Sequence, residues 1–127
     1  MLFRSKAGYN FERTSRNIVH PSHALIRVLY ARNEFTVPAG GRSFVVFVVH
    51  NTGPTEVFDI KVKDSLKLVH RLRRSYIIVR QGRKSFFSVT FQAPRSAVRG
   101  KGDDVLATIT GRKSRKTVGH VVMLMVV

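Results

Sequence analysis

The chain has 127 residues, 43% of them apolar, which suits one domain with a packed core and argues against wholesale disorder. It contains no cysteine, so disulfides and thiolate metal sites are excluded. Its 23 Lys and Arg against seven Asp and Glu give a net charge of +16, which favours contact with polyanions such as nucleic acid, anionic lipid or sulfated glycan.

The N-terminal region differs in its residue pattern from the rest of the chain. Residues 1–23 mix basic residues with isolated aromatic residues and show no sustained period, so we expect a poorly ordered segment there and a folded domain over residues 24–127. Residues 1–8 lack the apolar stretch of a signal peptide, and no apolar run approaches 18 residues. We therefore expect no membrane-spanning helix, and either no secretion by that route or a fragment of a longer protein.

From Ala24 onward, short alternating runs are separated by turn residues. The clearest case is the apolar run 42–50, which follows Pro38 and Gly40 and ends at Asn51-Thr-Gly53. Strand candidates recur every ~8–12 residues, a spacing typical of a β-sandwich or barrel. In chain order they are residues 24–30, 35–37, 42–50, 55–63, 76–80, 84–92, 105–110 and 117–127, with 65–70 left open between a short strand and one helical turn.

Alternation also predicts which side chains form the core, because successive strand residues point to opposite faces. The expected core residues are Val45, Phe47, Val49, Phe58, Ile60, Val62, Ile78, Phe87, Val89, Phe91, Val105, Ala107 and Ile109. The run 42–50 is apolar on its other face as well, at Phe44, Val46 and Val48. Either an N-terminal segment such as residues 3–30 covers that face, or a neighbouring domain contacts it.

Several turn and core positions together resemble a known family. They are Pro38-x-Gly40, Asn51-Thr-Gly53, Phe58, Val79-x-x-Gly82, Val89-x-Phe-x-x-Pro94 and Gly102-Asp-Asp-Val105. Over residues 35–127 the chain is similar to immunoglobulin-like β-sandwich domains that accompany von Willebrand A domains in hemicentin-like extracellular proteins and occur in bacterial surface modules. The resemblance implies an all-β, two-sheet antiparallel sandwich of about seven strands. It also implies a structural or adhesive module at the cell surface, without catalytic residues, whose partners are neighbouring domains or another protein.

Two basic clusters are the strongest functional candidates in the sequence. One runs from Lys61 to Lys84 and the other occupies a predicted hairpin tip at 112–116. Arginine guanidinium groups bind phosphate or sulfate through two hydrogen bonds, so these residues suit a polyanion such as a sulfated glycan. The candidate polyanion-binding residues are Lys61, Lys63, Arg71, Arg73, Arg74, Arg83, Lys84, Arg112, Lys113, Arg115 and Lys116. The alternatives are a nucleic-acid-associated protein and a solvated surface with no ligand.

Enzymatic motifs are absent from the sequence. There is no nucleophile elbow, P-loop, dinucleotide fingerprint or HExxH motif, so we expect no enzyme and no cofactor. Asp103-Asp104 follows Gly102, but too few other acids exist to complete a calcium shell, and capping of a turn is the better interpretation. The last strand candidate, 117–127, is apolar and can pair with another chain if it lies at a sheet edge.

Overall fold

The computed structural model describes residues 23–127, which form two packed β-sheets. The predicted poorly ordered segment, residues 1–23, lies outside the described part of the chain except for His23. In chain order the strands are β1 (Ala24–Ala31), β2 (Thr36–Val37), β3 (Arg42–Asn51), β4 (Glu56–Asp64), β5 (Val69–Leu72), β6 (Tyr76–Val79), β7 (Arg83–Gln92), β8 (Gly102–Gly111) and β9 (Thr117–Val126). No helix within residues 23–127 is long and apolar enough to cross a bilayer.

The strands divide into a sheet I with order β1-β3-β7-β5 and a sheet II with order β2-β9-β8-β4-β6. Within each sheet, neighbouring strands pair antiparallel, except that β2 pairs parallel with β9 over a short stretch. This confirms the predicted immunoglobulin-like sandwich. Residues 23–127 form nine strands where about seven were expected, and three of the nine are short: β2 has two residues, and β5 and β6 have four each.

The chain changes sheet between β1 and β2. Asn33, Glu34 and Phe35 have φ values of 53°, 51° and 67°, in the left-handed region, and together they turn the backbone from sheet I to sheet II. The predicted short strand at 35–37 therefore belongs to a different sheet from the strand that precedes it. Residues 65–70, for which the sequence left a short strand and a helical turn as alternatives, form a turn followed by the start of β5.

Burial confirms most of the predicted core. Val45, Phe47, Phe58, Val89 and most of the other residues named above are buried between the sheets, whereas Val62 is half-buried.

The prediction for Ile78 is wrong, since its side chain is 60% exposed. Ile77 and Val79 are buried in its place, because the register sets Ile77 across from inward-facing Phe58 on β4. Ile78 lies across from Val57 and shares the outer face of sheet II with it.

The second apolar face of β3 forms the outer side of sheet I. Val48 is buried there, and Phe44 and Val46 are half-buried. Residues 24–30 do not cover this face, because β1 pairs edge to edge with β3 and extends the sheet sideways. Residues 3–22 of the proposed cover lie outside the described part of the chain.

The Asn-Thr-Gly turn closes one end of the sandwich through a buried side chain. The amide nitrogen of Asn51 donates to the carbonyl oxygens of Pro54 (2.9 Å) and Val79 (3.0 Å), and its Oδ1 accepts the N–H of Gly53 (3.0 Å). The polar atoms of the buried Asn51 side chain are thus all hydrogen-bonded. A Cβ on Gly53 would lie 2.4 Å from the Cβ of His23, so this position requires glycine. The turn ties β3 to β6 and fixes the end at which the candidate site lies.

Candidate polyanion-binding surface

The β8–β9 hairpin carries one of the two predicted basic clusters. The N–H of Arg115 donates to the carbonyl of Gly111 (2.9 Å), and the N–H of Gly111 donates to the carbonyl of Lys116 (3.0 Å). Arg115 adopts a left-handed φ of 61°, which closes the turn. Lys113 and Arg115 are exposed and Lys116 is half-buried, so the hairpin holds a compact group of cations at the surface.

Glu56, the first residue of β4, holds this hairpin in place by hydrogen bonds to its backbone. Its Oε1 accepts the backbone N–H groups of Lys113 (2.9 Å) and Ser114 (3.0 Å). Partial burial raises the pKa of the Glu56 carboxyl, but these N–H groups, the Ser114 hydroxyl and the Lys113 charge together hold it below its ordinary value. A Cβ on Gly111 would lie 2.5 Å from that same Oε1, so the contact needs glycine there.

Arg112 is held by the protein itself. Its guanidinium donates to both carboxylate oxygens of Asp59, with the shortest distance, 2.8 Å, between Nη2 and Oδ1. It also lies over the ring of Tyr76, 5.1 Å from the centroid. Hydrogen bonding from Arg112 lowers the pKa of Asp59, and Asp59 raises the pKa of Arg112. Arg112 therefore anchors the hairpin to β4 and β6 and has less freedom than its neighbours to bind a ligand.

The turn between β6 and β7 reaches the same end of the sandwich. The N–H of Gly82 donates to the carbonyl of Asn51 (2.6 Å), and the N–H of Gln81 donates to the hydroxyl of Thr55 (3.0 Å). This end gathers exposed or half-buried cations from two turns, and we call them the basic end: Arg80, Arg83, Lys84, Lys113, Arg115 and Lys116. The sequence run contained Arg80, but our candidate residues omitted it.

A shallow depression of about 360 Å³ lies beside the hairpin at this end. His23, Pro54, Glu56, Lys113 and Lys116 line it together with Ser114. Glu56 is the acid in the lining, and its carboxylate is already bound to the hairpin N–H groups. The depression therefore presents lysine ammonium groups and a histidine to solvent.

The remaining predicted residues lie elsewhere. Lys61 and Lys63 are exposed on the outer face of sheet II, across from Thr108 and Leu106 of β8. Arg71 lies on β5 at the edge of sheet I. The structure thus separates the run from Lys61 to Lys84 into distinct places, and only its end, at Arg83 and Lys84, joins the hairpin cluster.

Arg73 and Arg74 occupy the crossing from β5 to β6. They line a depression of about 370 Å³ with Val46 and Phe86 on the outer side of sheet I, and another of about 530 Å³ along β6. No side-chain hydrogen bond or ion pair within the described range holds either arginine. This corner is a second basic surface, mixed with apolar side chains and separate from the basic end.

Metal binding finds no support among residues 23–127, where no group of three His, Cys, Asp or Glu side chains comes together. Asp103 lies within β8 and not in a turn of its own, but its Oδ1 accepts the N–H of Leu66 (2.7 Å). Asp103 therefore caps the turn between β4 and β5. This agrees with the interpretation of Asp103 as a turn-capping residue, but the capped turn is far from Asp103 in sequence.

Comparison with known proteins supports the fold alone. No family model and no curated protein matches this sequence. Among solved structures, a FixG-related protein from Vibrio parahaemolyticus superposes with a TM-score of 0.64 at 12% identity, covering 83% of this chain and 97% of that one. A PapD-like domain of human CEP192 gives 0.55 at 14% identity, covering 94% and 95%.

A third structure, Escherichia coli alpha-2-macroglobulin, gives a TM-score of 0.63 at 14% identity, and the match covers 82% of this chain but only 9% of that much longer one. Together these neighbours support an immunoglobulin-like β-sandwich fold. None of them connects the chain to von Willebrand A domains or hemicentin.

Proposed function

We propose that this domain is a non-catalytic binding module that takes a polyanion, such as a sulfated glycan, at its basic end. One observation carries the proposal: two turns that are far apart in sequence bring six cationic side chains to one end of the sandwich. Within residues 23–127, no side-chain hydrogen bond or ion pair within 4 Å occupies any of the six. Their charge is therefore available to a ligand.

The local acids do not cancel this charge. Glu56 accepts the hairpin N–H groups, and Asp59 is paired with Arg112. Both acids bind groups of the hairpin, and neither forms an ion pair with the six cations of the basic end. A surface of one sign attracts polyanions over a distance set by the ionic strength, and arginine adds two-point recognition of sulfate.

The setting of the module forms part of the same proposal. Its turn and core motifs resemble those of extracellular β-sandwich domains, so we place it in a larger extracellular or cell-surface protein with a structural or adhesive role. Neighbouring domains or another protein are its further partners in this scheme. The domain itself carries out no reaction.

Nucleic acid is the competing ligand, because its phosphates offer similar chemistry. A nucleic-acid backbone that contacted both basic clusters would require the cations from Lys61 to Lys84 to lie on the same surface of the domain as the hairpin. Instead, Lys61 and Lys63 lie on the outer face of sheet II and Arg73 and Arg74 at a corner. A compact cluster at one end fits a flexible glycan better than a long rigid duplex.

The proposal is tested with heparin and a DNA duplex of matched charge, titrated across a salt series. The variant Arg83→Ser/Lys84→Ser/Lys113→Ser/Lys116→Ser removes four cations of the basic end. The matched control Lys61→Ser/Lys63→Ser/Arg99→Ser/Lys101→Ser removes four exposed cations elsewhere. We expect heparin affinity to fall at least about tenfold further in the first variant, a difference of about 1.4 kcal/mol. Binding should weaken with salt in every case.

Three results would overturn this assignment. Equal losses in both variants would mean that only net charge matters and that the basic end is no site. A preference for DNA over heparin at equal charge would replace the glycan with nucleic acid. Absence of binding at physiological salt would leave the cations as a solvated surface.

A further inference from the structure

Strand β9 has an open side. It pairs with β8 along nearly its whole length, but on its other side β2 covers only Met125 and Val126. From Thr117 to Leu124 that side has no strand partner within residues 23–127. Within the described part of the chain, β9 therefore lies at a sheet edge over these eight residues, which is the condition that the sequence set for pairing with another chain.

The hydrogen bonds at the covered end show which backbone groups face the open side. The N–H groups of Met125 and Val127 donate towards β2, to the carbonyls of Phe35 and Val37 at 3.0 Å each. The N–H of Val126 donates the other way, to the carbonyl of Lys101 at 2.9 Å. Alternate residues of a strand direct their backbone groups to the same side, and the β8–β9 register runs without a shift.

Gly119, Val121 and Met123 therefore direct their N–H and C=O groups to the open side. These groups form a template for one more strand.

This edge lacks the usual protection. Natural edge strands carry lysine, proline or a bulge that discourages pairing with another chain. β1 has Arg27 and a bulge between Val28 and Tyr30, whereas β9 has no Lys, Arg, Asp, Glu or Pro in a chain that holds 23 Lys and Arg. His120 is its ionisable residue, and burial lowers the pKa of that imidazole. β9 is thus an uncharged strand in a strongly basic protein.

An apolar patch on the outer face of sheet II adjoins the open edge. Val121 and Met123 are 56% and 53% exposed, and Leu106, across from Val121 on β8, is 41% exposed. Their side chains stand beside the place that an added strand would occupy. A strand that pairs with β9 would cover part of this apolar surface as well as the backbone groups.

We propose that β9 of a second copy of this chain pairs antiparallel with β9, joining two five-stranded sheets II into one continuous sheet. The chemistry of the edge selects the occupant. An acidic strand would find no basic side chain on β9, and a basic strand would find no acidic side chain there. An uncharged strand of alternating apolar residues fits, and β9 is itself such a strand. Two-fold pairing also brings the two apolar patches together.

This inference goes beyond the proposed function, and the two respond to salt in opposite ways. Each copy carries +16, so repulsion opposes pairing at low ionic strength. Screening removes that repulsion, and dimerisation should strengthen as salt rises. Polyanion binding should weaken over the same range. Failure of one proposal therefore leaves the other standing.

The test is sedimentation equilibrium of the full chain from about 0.05 M to about 1 M NaCl, over which the screening length falls to roughly 3 Å. We expect a monomer–dimer equilibrium whose dissociation constant falls at least about tenfold across the series. Hydrogen exchange, measured at low and high protein concentration, should show added protection at Gly119, Val121 and Met123. A monomer at about 1 mM protein in high salt would overturn the proposal.

Paired variants locate the interface. Met123→Lys puts a charge on the open edge, and Ile78→Lys puts the same charge at an exposed apolar position on the opposite edge of the same sheet. Only the first should abolish the dimer. Val121→Pro removes an N–H from the open side and should also abolish it, whereas Val121→Thr keeps that N–H and should weaken it less. Circular dichroism confirms folding, and equal effects of the two lysine variants would overturn the assignment to β9.

Discussion

Asp103 is a buried carboxyl next to another carboxyl. Its Oδ1 accepts the N–H of Leu66 and contacts the hydroxyl of Ser65, while its Oδ2 is buried with no donor within residues 23–127. Asp64 lies beside it and accepts the N–H groups of Leu68 and Val69. Burial first, and then the Asp64 carboxyl, raise the pKa of Asp103 to about 7. Below that pH a proton on Asp103 can bridge the two acids, and above it two negative charges share one site.

The pair makes folding stability depend on pH. Because the folded pKa of Asp103 lies above its unfolded value, the stabilisation is complete below about pH 4 and is lost as the pH rises towards 7, with a slope of at most about 1.4 kcal/mol per pH unit. Asp103→Asn keeps the acceptor for Leu66 and gives Asp64 a permanent donor. We expect it to be more stable than wild type at pH 8 and to lose that advantage at pH 4, measured by urea unfolding.

The comparison must be made as a difference between variant and wild type, because other groups titrate too. Glu56 and Asp59 have lowered pKa values, so each contributes stability that is fully present above its unfolded pKa and is lost as the pH falls through its folded pKa. His120, also lowered, adds stability above its own unfolded pKa and loses it as the pH falls. Asp104→Asn, at the exposed neighbouring position on β8, is the control. If the difference in unfolding free energy between Asp103→Asn and wild type stayed constant from pH 4 to 8, a proton shared by Asp103 and Asp64 would be contradicted.

At the scale of elements, alternation located the strands but not always their inward face. In β7 the contrast between Phe87, Val89 and the intervening serine and threonine residues leaves one choice, and burial agrees. In β6 the four residues Tyr-Ile-Ile-Val are apolar throughout, so the sequence offers no contrast. The pairing with β4 decides the face, and pairing is not visible in the sequence.

This gives a direct test of the inward face of β6. Ile77→Ala should destabilise the fold by roughly 2–4 kcal/mol, since it removes a buried side chain and leaves a cavity. Ile78→Ala should change the stability by less than about 0.5 kcal/mol, because that side chain is largely in solvent. Thermal or urea unfolding of both variants decides the matter, and a reversed order of the two effects would contradict the register of β6 on β4.

The candidate site shows the same limit. The sequence identified both basic clusters, and the hairpin at 112–116 forms as predicted. The longer cluster could not be placed, because the chain crosses from β4 in sheet II to β5 in sheet I and back to β6 before it reaches Arg83. Residues close in sequence are thereby dispersed, while Arg83 and Lys113 come to the same end. Glu56, which organises the hairpin, carries no sequence signal that would separate it from any surface acid.

For the whole molecule, charge opposes compaction. The whole chain carries a net charge of +16. Within residues 23–127, cations lie at both ends and on both outer faces of the sandwich, and one ion pair forms, between Arg112 and Asp59. That pair is exposed and contributes little, roughly 0–1 kcal/mol. Hydrophobic burial between the sheets must therefore outweigh both conformational entropy and long-range repulsion. Salt acts on the repulsion far more than on the single pair.

We therefore expect salt to stabilise the folded monomer. Screening by NaCl should raise the melting temperature, by roughly 4 °C for each 1 kcal/mol of repulsion removed in a domain of this size. The unfolded chain spreads its charges further apart, so it gains less from screening. Scanning calorimetry of the Met123→Lys variant, in which edge pairing is blocked, separates this effect from dimerisation. If salt lowered the melting temperature, specific ion pairs would outweigh the net charge, and repulsion would not be the term that limits stability.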